Sequence, residues 1–305
     1  MRRAAAFLAL CLLAVACGGQ APPGSRSKSE RAAGPTPSES VCACPRPRPL
    51  LPGTDEWIPR DPDRLAGKLS STTVALRLAI ERWTTDGDPS VWPPPDDVKL
   101  LALYQQRIYR TVARDPRLAE AVIAKLPPSV AAEARDNVAA GAALLSMARP
   151  VSDPGSLRTV APEPADVLLG YFREAELSFG VDWEVLAAVN YVESKFGRVV
   201  SASSAGAQGP MQFIPATWAR YGMGGDVHDP HDAILGAASY LRASGAPADY
   251  RRALYAYNPV PEYVESVTRY ARRIARDPRT YYAYYNWQVF VLTSRGDLRL
   301  TGPGL

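Results

Sequence analysis

Apolar side chains recur at helical intervals along most of this chain. Val98, Leu101, Tyr104, Ile108 and Val112 fall three and four positions apart, which places them on one face and predicts a helix over 98–112. Asp115-Pro116 reads as an N-cap followed by proline at the first helical position. Pro127-Pro128-Ser129 ends that helix and opens an Ala-rich one running to about Ala148. The stretch 149–164 collects Pro, Asp, Ser and Gly and reads as a linker. Beyond it, Val167, Leu168, Tyr171, Phe172, Ala175 and Phe179 make 165–179 amphipathic, and Gly180 is its stop. Asp182 is placed to cap the next helix, Trp183 to about Lys195. Asp229-Pro230 and Pro261 open further helices, the latter turning Tyr263, Val264, Val267, Tyr270 and Ile274 inward. Only the end of the chain changes period: 287–293 and 297–300, joined through Ser294-Arg295-Gly296, read as a β-hairpin. The aromatic cluster Tyr281 to Trp287 reads as the anchor of that hairpin. The pattern is mainly α, with a helical region at 63–150, a second at 165–280 and a short β-hairpin tail at 281–305.

The N-terminus departs from this pattern. Arg2 and Arg3 precede an apolar run from Ala4 to Ala16, the form of an export signal. A bilayer span needs about 20 apolar residues, so the run is too short to cross one. Cys17 after Ala14-Val15-Ala16 resembles a bacterial lipobox, which makes 1–17 a lipoprotein signal and Cys17 the lipidation site; cleavage nearby by an ordinary signal peptidase is the alternative. Residues 18–62 are rich in Pro, Ser, Arg and Gly, bury too little to offset the entropy of ordering, and read as a tether. Cys42 and Cys44 lie within it, and no cysteine follows; a structural zinc site needs four ligands, so the pair is read as having no structural role, with an intermolecular or strained local disulfide as the alternative. Eight of the 35 basic and four of the 31 acidic residues lie in 1–60, leaving 27 against 27 for the rest. A folded part without a basic excess argues against nucleic acid.

On the helix from Trp183, the residues Leu186, Val189, Asn190 and Glu193 share one face. Burial on an apolar stripe and the negative end of the helix dipole both push a carboxylate's pKa upward, as a general acid requires. The competing reading is an ion pair of Glu193 with Lys195, Arg198 or Arg220. Downstream, Gly206 and Gly209 permit positive φ and close backbone approach to a ligand, and Gln212 offers both a donor and an acceptor. Met211 and Tyr257 each have a core-packing alternative, and Trp218 reads as core. The run His228-Asp229-Pro230-His231-Asp232 has the ligand types of a metal site. It reads instead as a helix cap, with no metal and no cofactor expected.

Glu193-Ser194, the loop Ser203-Ser204-Ala205-Gly206-Ala207-Gln208-Gly209-Pro210-Met211-Gln212 and the triplet Ala256-Tyr257-Asn258 together resemble the lysozyme-like soluble lytic transglycosylases. These bacterial enzymes cut peptidoglycan between muramic acid and glucosamine. The resemblance implies a lysozyme-like helical catalytic domain at 165–280. The helical region at 63–150 carries no polar constellation and reads as an accessory domain of structural or partner-binding role, a cell-wall protein being the partner to expect in the second case. The resemblance also implies Glu193 as the catalytic acid and base. Ser203, Met211, Gln212, Tyr257 and Asn258 then contact peptidoglycan glycan strands, Tyr257 with its hydroxyl near the carboxylate. The expected reaction leaves 1,6-anhydromuramic ends, and the chain is expected to be exported and membrane-anchored through lipid, facing the periplasm or cell wall. A lysozyme-like muramidase using a second acid such as Asp226 or Asp229, and a non-catalytic peptidoglycan-binding lipoprotein, are the alternatives.

Overall fold

Proline just inside a helix start is the commonest local signal in this fold, because its fixed φ suits the first turn and its missing N–H is not needed there. It opens α1 (Pro62–Thr85), α3 (Pro116–Ala124), α4 (Pro128–Met147), α7 (Pro215–Tyr221), α8 (Pro230–Ser244) and α10 (Pro261–Arg276). The remaining helices are α2 (Asp96–Val112), α5 (Ala165–Phe179), α6 (Trp183–Ser194), α9 (Tyr250–Tyr257) and α11 (Arg279–Tyr285). Asp61, Asp115 and Asp229 each accept a backbone N–H of the turn they cap, which satisfies donors that would otherwise lack a partner. Asp182 also stands at an N-cap position, but its side chain makes no capping bond. The first turn of α6 is held instead by Glu176, which accepts from the Trp183 N–H at 3.2 Å.

These coordinates are those of a computed structural model describing residues 50–203 and 205–302. The segment 1–17 with Cys17, most of the expected tether with Cys42 and Cys44, and Ser204 lie outside the described residues. The described residues fall within one unit, 49–305.

α6 is the central element. Leu186, Ala187, Ala188 and Val189 have no exposed surface, the mark of a helix covered on every side. α10 packs between α6 and α4, α5 packs on α6 and α8, and α1 pairs with α2. The 63–150 region thus lies against the helices that carry the candidate site: Ser266 of α10 donates to the Ala140 carbonyl of α4 at 3.1 Å. Glu133 of α4, nearly fully buried, accepts from Arg77 at 2.6 Å and from Gln105 and Tyr109 at 3.3 Å. A buried carboxylate needs such partners to offset its desolvation.

Two segments are more tightly built in than their sequence suggests. The stretch 149–164 bonds to the chain beyond α6: Val160 donates to the Arg198 carbonyl at 2.9 Å and Val200 to that of Arg158 at 3.1 Å. At the C-terminus, β1 (Phe290–Thr293) and β2 (Gly296–Arg299) form the expected antiparallel hairpin, with Thr293 opposite Gly296. Residues before it do more than anchor it. Tyr281, Tyr284, Tyr285 and Trp287 are core, with Tyr281 edge-on to Phe172, Trp183 and Phe196. The hairpin itself is held by Asp297, which accepts from both Arg110 and Arg114 of α2.

Candidate active site

α6 ends in an unusual way. Lys195, Phe196 and Gly197 have φ of 56°, 59° and 82°, three successive left-handed residues of which two carry side chains that disfavour that region. Two anchors hold them. Phe196 is fully buried among Phe172, Tyr191, Tyr281 and Tyr285, and the Lys195 and Phe196 N–H groups bond to the Tyr191 and Asn190 carbonyls at 3.1 and 3.3 Å. Strain of this kind persists where the surroundings over-determine it, and here it fixes the end of the helical turn that carries Glu193 and Ser194.

Ser194 ties this helix end to the Gly-rich loop. Its hydroxyl donates to the Pro210 carbonyl at 2.5 Å and accepts from the Gly197 N–H at 2.8 Å, while Asn190 donates to the same Pro210 carbonyl at 2.8 Å. The loop is therefore placed against Glu193 by side chains of Glu193's own helix. Within it Ser203, exposed, accepts from the Ala205 and Ala207 N–H groups at 3.2 and 3.0 Å, so its hydroxyl proton is what it can offer a ligand. Gln212 sits at φ 50° and donates its side-chain amide to the Gly209 carbonyl at 3.0 Å.

Glu193 is partly buried and finds none of the three cations offered by the ion-pair reading among the described residues. Its Oε1 accepts instead from the Tyr263 hydroxyl at 2.6 Å. Burial raises the Glu193 pKa to about 7, against the opposing pull of the Tyr263 hydrogen bond and the Lys195 charge. The Tyr263 phenol is pushed well above its usual value, first by burial and then by Glu193. It therefore stays protonated and donating, which leaves Oε2, without a hydrogen-bond partner among the described residues, as the oxygen to deliver or take a proton.

Tyr257 lies near the carboxylate, the Glu193 charge standing second to burial among the causes that raise its phenol pKa, but it does not bond it. Its hydroxyl donates to the Met211 carbonyl at 2.7 Å, and its ring lies parallel to that of Tyr263 at 6.5 Å. The carboxylate's phenol partner is Tyr263, read from the sequence only as an inward residue of the closing helix. Helical spacing places a residue on a face but does not distinguish a buried tyrosine that packs from one whose hydroxyl meets a carboxylate 70 positions away. Met211, expected against substrate, has no exposed surface; its side chain is core and its carbonyl orients Tyr257. Asn258 ends α9 in extended conformation, φ −143° and ψ 112°, as the following proline requires. Trp218 packs inward, edge-on to Phe213 at 5.1 Å. Gly236 makes room for it, since a Cβ there would meet the ring at 2.7 Å.

Asp229, His231 and Asp232 lie close enough to share an ion, but each has local work. Asp229 caps α8 by accepting from the Asp232 N–H at 3.0 Å, Asp232 accepts from the Asp226 N–H at 2.9 Å, and His231 faces Glu174 at 3.0 Å. The Asp226 carboxylate accepts from the His228 N–H at 2.8 Å.

Replacing Tyr263 by Phe removes the hydrogen bond that favours the Glu193 carboxylate and so raises the pKa of Glu193 further. If protonated Glu193 is the acid, the alkaline limb of kcat/KM moves to higher pH in Tyr263→Phe. A limb that stays in place in a pH–rate series would assign it to another group.

Residues 170–278 match the family described as transglycosylase SLT domain. The chain is 32% identical over 128 residues to membrane-bound lytic murein transglycosylase F of Thiobacillus denitrificans, covering 39% of this chain and 27% of that protein. It is 32% identical over 116 residues to membrane-bound lytic murein transglycosylase F 1 of Alkalilimnicola ehrlichii, covering 35% and 23%. The chain thus spans about a quarter of the length of the curated relatives it matches. No solved structure gives a significant match. The matched segment contains Glu193, the Gly-rich loop, Tyr257 and Tyr263, and residues 170–278 are a transglycosylase SLT domain of lysozyme-like, helical fold.

Proposed function

We propose that this chain is a peptidoglycan lytic transglycosylase that cleaves the β-1,4 bond between N-acetylmuramic acid and N-acetylglucosamine and leaves 1,6-anhydromuramic acid ends. The observation that carries the reading is the Glu193 carboxyl, raised to about 7 by burial and held through one oxygen by Tyr263. A group with a pKa near ambient pH gives and takes a proton with similar ease, and this scheme asks one residue for both. Glu193 Oε2 protonates the glycosidic oxygen, and the N-acetyl group of muramic acid stabilises C1 as the bond opens. The Glu193 carboxylate then takes the proton of the 6-hydroxyl, whose oxygen closes on C1. Water is not consumed, and the proton returns to Glu193.

Gln212 and the Ser203 hydroxyl would contact the sugar from the loop and Asn258 from the end of α9, while Tyr257 and the Met211 carbonyl hold the wall behind them. A paired-acid hydrolase needs a second carboxylate on the scissile bond. The acids weighed for that part, Asp226 and Asp229, are engaged in loop and cap hydrogen bonds.

The relatives' names describe membrane-bound enzymes, and among the described residues no helix is long and apolar enough to cross a membrane. Lipid on Cys17 would supply the anchor, with the part of the expected tether before residue 50 letting the enzyme reach the wall; the end of that stretch is not tether but docked on the fold, where the Thr54, Glu56 and Trp57 carbonyls accept from Arg107 and Tyr104. Mass spectrometry of muropeptides released from purified peptidoglycan tests the reading. Anhydromuramyl ends are expected; reducing ends would mean a hydrolase, and no release would mean a binding role.

A further inference from the structure

A cavity of about 210 Å³ lies under the C-terminal end of α6, between α2, α4, α10 and the hairpin. That is far above the ~10–15 Å³ one water needs. None of Glu193, Gln212, Tyr257 or Tyr263 lines it, so it is not the substrate groove. Its wall divides by chemistry. Leu144, Leu145 and Leu292 give it an apolar side, and Lys195, Arg110, Asn137 and Trp287 give it donors.

The donors are under-used. Asn137 Nδ2 and Trp287 Nε1 are buried and have no hydrogen-bond acceptor among the described residues, although Asn137 and Trp287 are only 2% and 3% exposed. Orphaned buried donors are rare and call for an acceptor. Lys195 donates to the Tyr191 carbonyl at 2.9 Å and has no carboxylate within ion-pair distance among the described residues. Among the described residues Arg110 has one carboxylate partner, Asp297, which it shares with Arg114. The described lining holds no Asp or Glu; of its other polar side chains, Gln106 exchanges two bonds with the Gln288 backbone at 2.9 and 2.7 Å, Tyr109 donates to Glu133, and the Tyr191 and Tyr270 hydroxyls pair with each other. What is missing is an acceptor carrying negative charge, with an apolar body to cover the leucines.

We propose that this cavity is a second ligand site, distinct from the Glu193 groove, for a small carboxylate with a short apolar body. The carboxylate accepts from Lys195, Asn137 and Trp287, and the body lies against Leu144, Leu145 and Leu292. Burial, then the Arg110 charge, lower the Lys195 pKa to about 7 against the opposing pull of Glu193; a bound carboxylate would hold it charged.

The test is titration of the full chain with hexanoate, its neutral counterpart hexanamide, and N-acetyl-alanyl-alanine, followed by calorimetry and by carboxyl-13C NMR. Saturable binding of a carboxylate at least ~10-fold tighter than hexanamide is expected, since charge-assisted bonds are the strong ones. Preference for hexanoate would assign an aliphatic acid, and preference for the dipeptide a peptide C-terminus. Lys195→Met should weaken the preferred carboxylate at least ~10-fold, and Leu145→Trp should fill the cavity and abolish binding, with both folds checked by circular dichroism. Binding of neither carboxylate, or equal binding of hexanamide, by the unmodified chain would overturn the proposal independently of either variant.

Discussion

Glu193→Gln abolishes release of anhydromuropeptides, by ~10²–10⁴-fold in kcat, the usual worth of a positioned general acid and base, while the folded protein persists. Glutamine keeps an oxygen to accept from Tyr263, so the one side-chain hydrogen bond Glu193 makes among the described residues survives. The same variant carries a second signature, in stability. The unfolded Glu193 ionises above about 4.5, whereas the folded one holds its proton until about 7. Between these values the unfolded state binds fewer protons, so stability falls as pH rises through the window. At pH 8 the unmodified protein bears the full cost of a buried carboxylate, and Glu193→Gln does not. One pKa unit corresponds to about 1.4 kcal/mol, and partial exposure discounts the total, so a gain of about 1–3 kcal/mol is expected for the variant at pH 8, with little difference at pH 4. Denaturant melts at the two pH values read this out. A variant that is inactive and less stable at both would mean that Glu193 serves packing, and that its loss of activity is a loss of structure.

What the sequence made legible was local. Helix periods, the Asp-Pro starts at 115 and 229 and the glycine stop at 180 depend on neighbours within a turn, and each was readable for that reason. The hairpin followed from a change of period. What stayed hidden was set by distant contacts. Lys195 and Phe196 look like the end of a helix, yet they are left-handed because aromatic rings from α5 and α11 hold Phe196 in place. The Tyr281–Trp287 cluster is aromatic on nearly every position, so periodicity offered no inward face, and the structure buries most of it. The stretch 149–164 has linker composition, but its backbone pairs with the chain beyond Glu193. At the site, the glutamate and loop were visible as a motif, whereas Tyr263 was one inward tyrosine among several.

Gly209→Ala should be the most damaging single methyl in the loop, and its contrast with Gly206→Ala isolates the cause. Both glycines are left-handed, at φ 72° and 78°, and alanine in that region costs ~1–2 kcal/mol wherever it occurs. Their surroundings differ. A Cβ at Gly206 meets nothing within 4 Å, whereas a Cβ at Gly209 collides with the Val227 carbonyl oxygen and comes within 2.8 Å of its carbon. The obstacle is backbone and cannot rotate away, so the loop itself must move. Gly209 is also the residue whose carbonyl holds the Gln212 amide, and its neighbour Pro210 is clamped by Ser194 and Asn190. Displacing Gly209 therefore shifts Gln212 and the Met211 carbonyl that orients Tyr257 against a fixed Glu193. A misplacement of about 1 Å in a catalytic constellation costs ~10²-fold, and a loss of that order in kcat/KM is expected for Gly209→Ala. Gly206→Ala should lose stability by the conformational cost alone and keep activity within ~10-fold. Equal kcat/KM in the two variants, at equal melting temperatures, would show that the loop adapts around Val227 and that its position does not control the chemistry.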